Sequence, residues 1–232
     1  MIISERRGRK SGEIRFDIQR FRNKWSLAKE GKPLPKNRNS LAEFGSFWKY
    51  KLSVESLPSS HILDSRHFDE TLQRLKILKK WQYFRNSDVP FEEAWEIFVK
   101  GLQKIVPLYN ELRKYSLLKF KSIPEDILKE IWETPFKSPQ TVMSVCKLFM
   151  FIWGQTLAFD SQIRENIPFA FGDNHAYAYT LEKWQNIMGK YSDYLNSRRD
   201  IKESFDNLAL QEYGNDKIVP YGRFFDFWYW AE

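Results

Sequence analysis

The chain has a single cysteine, Cys146, and only three histidines, His61, His67 and His175. One thiol excludes an internal disulfide and a cysteine metal cluster. Cys146 lies in an apolar helical stretch, where a packed thiol is expected in place of a nucleophile. The histidines do not form the adjacent-turn pairs that a helix-borne zinc site needs, so neither a metal nor another cofactor is expected. Glycine is sparse, at 10 of 232 residues. It builds no phosphate-cradling loop, nucleophile elbow or dinucleotide fingerprint. No apolar run reaches the roughly 20 residues of a membrane span, because Lys147, Gly154 and Gln155 interrupt the longest one, Val142 to Phe159. The basic N-terminus has no apolar signal core. The expectation is a cytoplasmic protein with no membrane partner.

Aromatic residues are plentiful: 19 Phe, 11 Tyr and 9 Trp, enough for a large core in a chain of this length. Positive charge is concentrated at one end. Residues 1–40 hold 12 Lys/Arg against 4 Asp/Glu, whereas the remainder holds 25 against 26. The clusters Arg6, Arg7, Arg9, Lys10 and Arg15, Arg20, Arg22, Lys24 suit a polyanion. Phe16, Phe21 and Trp25, interleaved with them, either stack on bases or dock a basic amphipathic helix onto the rest of the protein. Residues 1–40, closing with "GKPLPKNRNS" (31–40), read as a basic segment and linker, and residues 41–232 as the main domain.

The hydrophobic period is helical almost throughout. Residues 13–29 fit a helix, and "FGSFWKYKL" (44–52) fits a short strand or a helix. Leu72, Leu75, Ile77, Leu78, Trp81 and Phe84 fit one helix, and Phe91, Trp95, Phe98 and Leu102 another. Pro107 predicts a kink or a new start, with Leu108–Phe120 helical beyond it. Pro124–Trp132 follows, with Glu125 and Asp126 in a first turn that favours acids. Ser138 and Pro139 suit the cap and first position of a helix to Trp153. That helix is apolar on nearly every face and so belongs at the centre of the fold. Asp160 then opens a short helix to about Asn166. A loop, "IPFAFGDNHAY", leads to helices at Tyr179–Asn196, Asp200–Tyr213 and Tyr221–Trp230. With no internal repeat and no strand ladder, the fold class is all-α.

The order of parts between residues 138 and 164 is a turn, a buried helix, an apolar connector, an aspartate and a new helix carrying Arg164. This stretch resembles the helix-hairpin-helix DNA glycosylase superfamily, in its divergent bacterial branch related to 8-oxoguanine glycosylases. "TLAFDSQIR" is similar to that family's connector, with Asp160 in the place of the essential aspartate. "YGRFFDFWYWAE" resembles the last helix of related small proteins. The resemblance covers residues 134–166 and, more weakly, 220–232. The family's hairpin turn is bracketed by glycines, whereas "FKSPQT" contains none; Lys137, Ser138 and the helix N-terminus are the candidates to grip a phosphate there. Bifunctional members carry a nucleophilic lysine 19 residues before the aspartate. Thr141 stands at that position, which implies a monofunctional enzyme that uses water. Lys147, 13 residues before Asp160, does not match.

What the resemblance implies is a DNA glycosylase acting on double-stranded DNA with a damaged or hypermodified base, a group that includes bacterial antiviral proteins. Cleaving an N-glycosidic bond builds positive charge on the sugar, and a carboxylate beside it stabilises that charge or orients the attacking water. The base must first leave the duplex stack, and Phe169, Phe171 and Tyr177 are candidates to wedge or stack, with core packing as their other role. Asp160 is equally suited to a plain helix cap, in which case the chain is a non-catalytic helical nucleic-acid-binding module. Asp226 is expected to pair with Arg223 or Arg164. Glu165 and Asp173 are candidates for a second acid or base.

Overall fold

The computed structural model describes residues 12–30, 63, 66–80, 83–85, 87–169, 180–214 and 218–231. Outside these lie the first basic cluster (Arg6, Arg7, Arg9 and Lys10), the 31–40 linker, the 44–52 stretch, His61, Phe171, Asp173, His175 and Tyr177. Ten α-helices and one 3-10 helix account for the regular structure of the described residues, which contain no strand. None of these helices is long and apolar enough to cross a membrane.

Helix α1 (Ile18–Lys29) starts later than the period suggests, because the Asp17 carboxylate accepts the Arg20 amide at 2.9 Å and caps it there. Phe21, Trp25 and Ala28 recur at helical spacing and are buried, so one face of this basic helix is core. Phe16 packs edge-on against Phe205 and Phe225, and Phe21 against Phe224 and Phe227. The docking alternative therefore describes these aromatics. Ile14, Phe16, Phe21, Trp25 and Ala28 share one hydrophobic cluster with the other buried apolar residues described.

The single helix expected from Leu72 to Phe84 is divided into α2 (Phe68–Leu75) and α3 (Ile77–Lys80), followed by a turn at 83–85. The turn carries Tyr83 inward, where its hydroxyl donates to the Ser144 carbonyl at 2.6 Å. Helix α4 (Phe91–Leu112) continues through Pro107, so the proline does not mark a new start. Proline leaves the carbonyl four residues earlier without its amide partner. Here that residue, Gln103, lies on the exposed face, where solvent can take the missing donor's place. The buried face continues past the proline through Tyr109 and Leu112. Beyond it comes a 3-10 helix, Leu117–Ser122, where a continuous α-helix was expected. Helix α5 (Glu125–Glu133) follows the expected bounds within one residue.

Helix α6 (Val142–Ile152) is buried at every position but Met143. It begins three residues later than expected. Gln140 staples the preceding turn: its carbonyl oxygen accepts the Phe136 amide at 2.7 Å, and its NH2 donates to the carbonyls of Trp132 and Thr134. The Ser138 carbonyl is held by the Asp88 amide and the Ser87 hydroxyl, both at 3.0 Å. Thr141, with Ser144, forms the capping box instead.

Helix α7 (Ser161–Asn166) is followed by α8 (Leu181–Ser197), α9 (Arg199–Tyr213) and α10 (Tyr221–Trp230). Helix α10 is buried from Tyr221 to Tyr229 and lies between α1 and the segment after α6. Its approach to that segment depends on Gly222. A Cβ there would sit 2.3 Å from both Gln155 C and Thr156 N. These are backbone atoms, so Gly222→Ala is expected to cost about 1–3 kcal/mol or more, the range for overpacking a filled core. Urea denaturation measures it; an unchanged midpoint would mean that α10 does not press on the connector.

Candidate active site

The connector from Gly154 to Asp160 is held by side chains on four sides. Gly154 ends α6 at φ +76°, a left-handed conformation that favours glycine. The Gln155 carbonyl oxygen accepts the Leu117 amide at 2.7 Å, and its NH2 donates to the Val219 carbonyl at 2.8 Å. The Trp184 indole donates to the Thr156 hydroxyl at 3.0 Å. The Ala158 amide donates to the Asp226 carboxylate on α10 at 2.7 Å. Phe159, fully buried, adopts φ +51°, which a side chain with a Cβ rarely takes. Such a residue costs on the order of 1–3 kcal/mol and persists only where its surroundings impose it. The guanidinium of Arg164 donates to the Phe159 carbonyl and braces that turn from the next helix.

This brace delivers Asp160 to a specific place. One carboxylate oxygen accepts the Ile163 amide at 3.1 Å, so Asp160 is the N-cap of α7. The other lies 3.8 Å from the ammonium of Lys147 on α6. The Asp160 side chain keeps 24% of its surface open, whereas that of Lys147 keeps 8%. The two sequence alternatives for this carboxylate are thus compatible: capping occupies one oxygen, the other faces Lys147, and the side chain as a whole stays partly open to solvent.

Asp226 lies behind this pair. Its carboxyl is pushed up to about 7, first by burial and then by the charge of Asp160; Arg223, the Ala158 amide and Lys147 oppose the rise. Burial lowers the Lys147 ammonium from its ordinary value, against the pull of Asp160 and Asp226. Burial also lowers Lys137, with Asp88 opposing and the charge of Lys147 adding to the effect. The Cys146 thiol is buried and held well above its ordinary range by that burial.

The other candidates fall into three groups. Lys137 is buried, and its ammonium donates to the Arg85 carbonyl at 2.5 Å, so it braces the turn before α6. Ser138 and Thr141 sit at the N-terminal end of α6, in the turn and at the cap. Phe169 is buried edge-on against Tyr191 at 5.9 Å, beneath the Lys190 ammonium. The structure thus gives Phe169 the packing role. Phe171 and Tyr177 lie outside the described residues. Arg15, Arg20 and Arg22 are exposed along and just before α1, whereas Lys24 is buried with its ammonium 5.0 Å from the Trp228 ring centre. The charge of Arg223 acts to lower the Asp226 carboxyl, while its guanidinium reaches the Met150 sulfur at 2.6 Å and lies over the Phe151 ring. Arg164 is used on the Phe159 carbonyl. Glu165 is exposed.

Spacing alone did not bring Lys147 and Asp226 into the site. One sequence signal was available: a lysine inside a helix that is apolar all round needs a counter-charge from elsewhere in the fold. Among the described residues, no group of three or more His, Cys, Asp or Glu side chains is placed to hold a metal ion. No family model matches the chain, and neither a curated protein nor a solved structure is significantly similar to it.

Proposed function

We propose that the chain is a monofunctional DNA N-glycosylase, with a helical fold of the helix-hairpin-helix glycosylase type, that hydrolyses the bond between deoxyribose and a damaged or hypermodified base. One observation carries the reading: a carboxylate delivered by a braced, backbone-strained connector to a partly open position, with one oxygen anchored on a helix amide and the other beside a buried ammonium. An ordinary cap needs neither the left-handed phenylalanine before it nor a buried lysine facing it. Asp160 then stabilises the cationic sugar as the base departs and orients the attacking water. The buried polar surroundings strengthen that effect. The resemblance to antiviral proteins extends the proposal to modified phage DNA. The test offers duplexes with damaged or hypermodified bases, adds no metal, and scores free base and abasic sites; failure to release any base would sink it. Thr141 at the lysine position leads to a further expectation, that borohydride traps no protein–DNA adduct. A trapped adduct would give the covalent role to Lys147, the amine beside Asp160.

A second reading, a non-catalytic helical nucleic-acid-binding module, is favoured by the Asp160 cap and by the exposed arginines of the α1 region. Both readings place phosphates against Arg15, Arg20 and Arg22. Truncating the basic segment is a poor test, since Phe21 and Trp25 would leave the core. Replacing the three arginines by glutamine is expected to weaken binding to all sequences alike and to reduce the slope of log affinity against log salt by about 2–3. An unchanged slope would move the footprint elsewhere.

A further inference from the structure

Two carboxylates, Asp160 and Asp226, and two cations, Lys147 and Arg223, gather where α6, α10 and the connector meet. From α6, Lys147 and the thiol of Cys146 face Asp226. From the connector come Asp160 and the Ala158 amide, from α8 the Tyr191 hydroxyl, and from α10 itself Arg223. Asp226 is only 6% exposed, and Gly222 fixes the height of α10 against the connector one turn before it. The backbone repeats this tie, with the Arg223 amide donating to the Gly154 carbonyl at 3.0 Å.

We infer that Asp226, tied to the connector through the Ala158 amide, is a positioning residue that shares Lys147 with Asp160 as a common counter-charge and adds its own charge to the negative field Asp160 presents to a substrate. When Asp226 is ionised, two carboxylates stand against Lys147 and Arg223, and the added negative charge strengthens the field at Asp160. When Asp226 holds a proton, Lys147 faces Asp160 alone and offsets it. The carboxyl of Asp226 changes state at about 7, so the field switches near neutrality. The effect on rate rests on the glycosylase reading; the charge sharing does not.

The consequence for stability has a definite sign. An unfolded Asp226 loses its proton near the ordinary 3.8, whereas the folded carboxyl keeps it to about 7. Between these values the folded state binds the extra proton, so stability falls as pH rises through the window and levels off above it. Asp226→Asn mimics the protonated form, still accepts the Ala158 amide, and does not titrate.

The experiment has two arms. In the first, denaturation midpoints are measured from pH 5 to pH 8. The wild-type midpoint is expected to fall relative to Asp226→Asn, and the fall should shrink in Asp160→Asn, which lacks the neighbouring charge. A constant difference, or a fall indifferent to Asp160, would overturn the charge sharing. In the second arm, wild-type base release is expected to rise between pH 6 and pH 8 by about tenfold or more, the scale of one charge at a few ångströms in a partly buried site. Asp226→Asn should stay flat at the low level. If the variant follows the wild-type profile, Asp226 acts only by holding Ala158, and its positioning role is refuted. A protein that shows the stability effect but releases no base from any duplex keeps the shared charge and loses the glycosylase reading.

Discussion

Asp160→Asn is expected to lower base release by at least about 100-fold, the scale of one electrostatic or acid–base group, while leaving DNA affinity unchanged. Asparagine caps helices nearly as well as aspartate, so the bond to the Ile163 amide survives the change. What disappears is the negative charge that an oxocarbenium-like transition state needs. Losing the Asp160 charge removes one cause of the raised Asp226 carboxyl, so Asp226 ionises more readily and serves Lys147 as a counter-charge. The expected cost is about 1 kcal/mol or less, which in a chain of this size shifts the melting temperature by about 2–4 °C. Single-turnover base release and a melting curve on the same preparation check both halves. Unaltered base release would make Asp160 a cap and nothing more. A collapse in melting temperature would make the Lys147 pair a structural element first.

The largest stability effect is expected at Phe149. Its side chain is 2% exposed and packs edge-on against Phe136 at 6.1 Å. Its carbonyl accepts the amides of Trp153 and Gly154, where α6 gives way to the connector. Phe149→Ala leaves a cavity in a closely packed part of the core, which neighbouring side chains close only in part. The expected loss is about 3–5 kcal/mol, or roughly 6–20 °C in melting temperature. Because α6 carries Lys147 and launches the connector, the same variant should lose base release at temperatures well below its melting point. A loss under about 1 kcal/mol would mean that α6 faces solvent or a partner and that the core lies elsewhere.

Much of the helical order was legible because it is local. The bounds of α5, α7, α8, α9 and α10 follow from apolar period, acidic first turns and caps, all of which act within a few residues. Proline misled twice, each time for a tertiary reason. Pro107 sits on an exposed face, where solvent can replace a missing backbone bond, and α4 continues. Pro139 suited a first helical position, but Gln140 and the 87–88 turn had already claimed the backbone around it.

The sequence by itself determined that the chain is helical, that α6 is central, that Asp160 opens a helix, and that positive charge gathers near the N-terminus. These depend on residue type and spacing along one segment. Only the tertiary structure decided that Phe16, Phe21 and Trp25 face the core, that Phe159 turns left-handed ahead of Asp160, and that Lys147 and Asp226 converge on that carboxylate from two other helices. The physical reason is distance along the chain. A buried charge must find its partner, but periodicity does not say which of the remote carboxylates it will be; the packing of α6, α7 and α10 settles that choice.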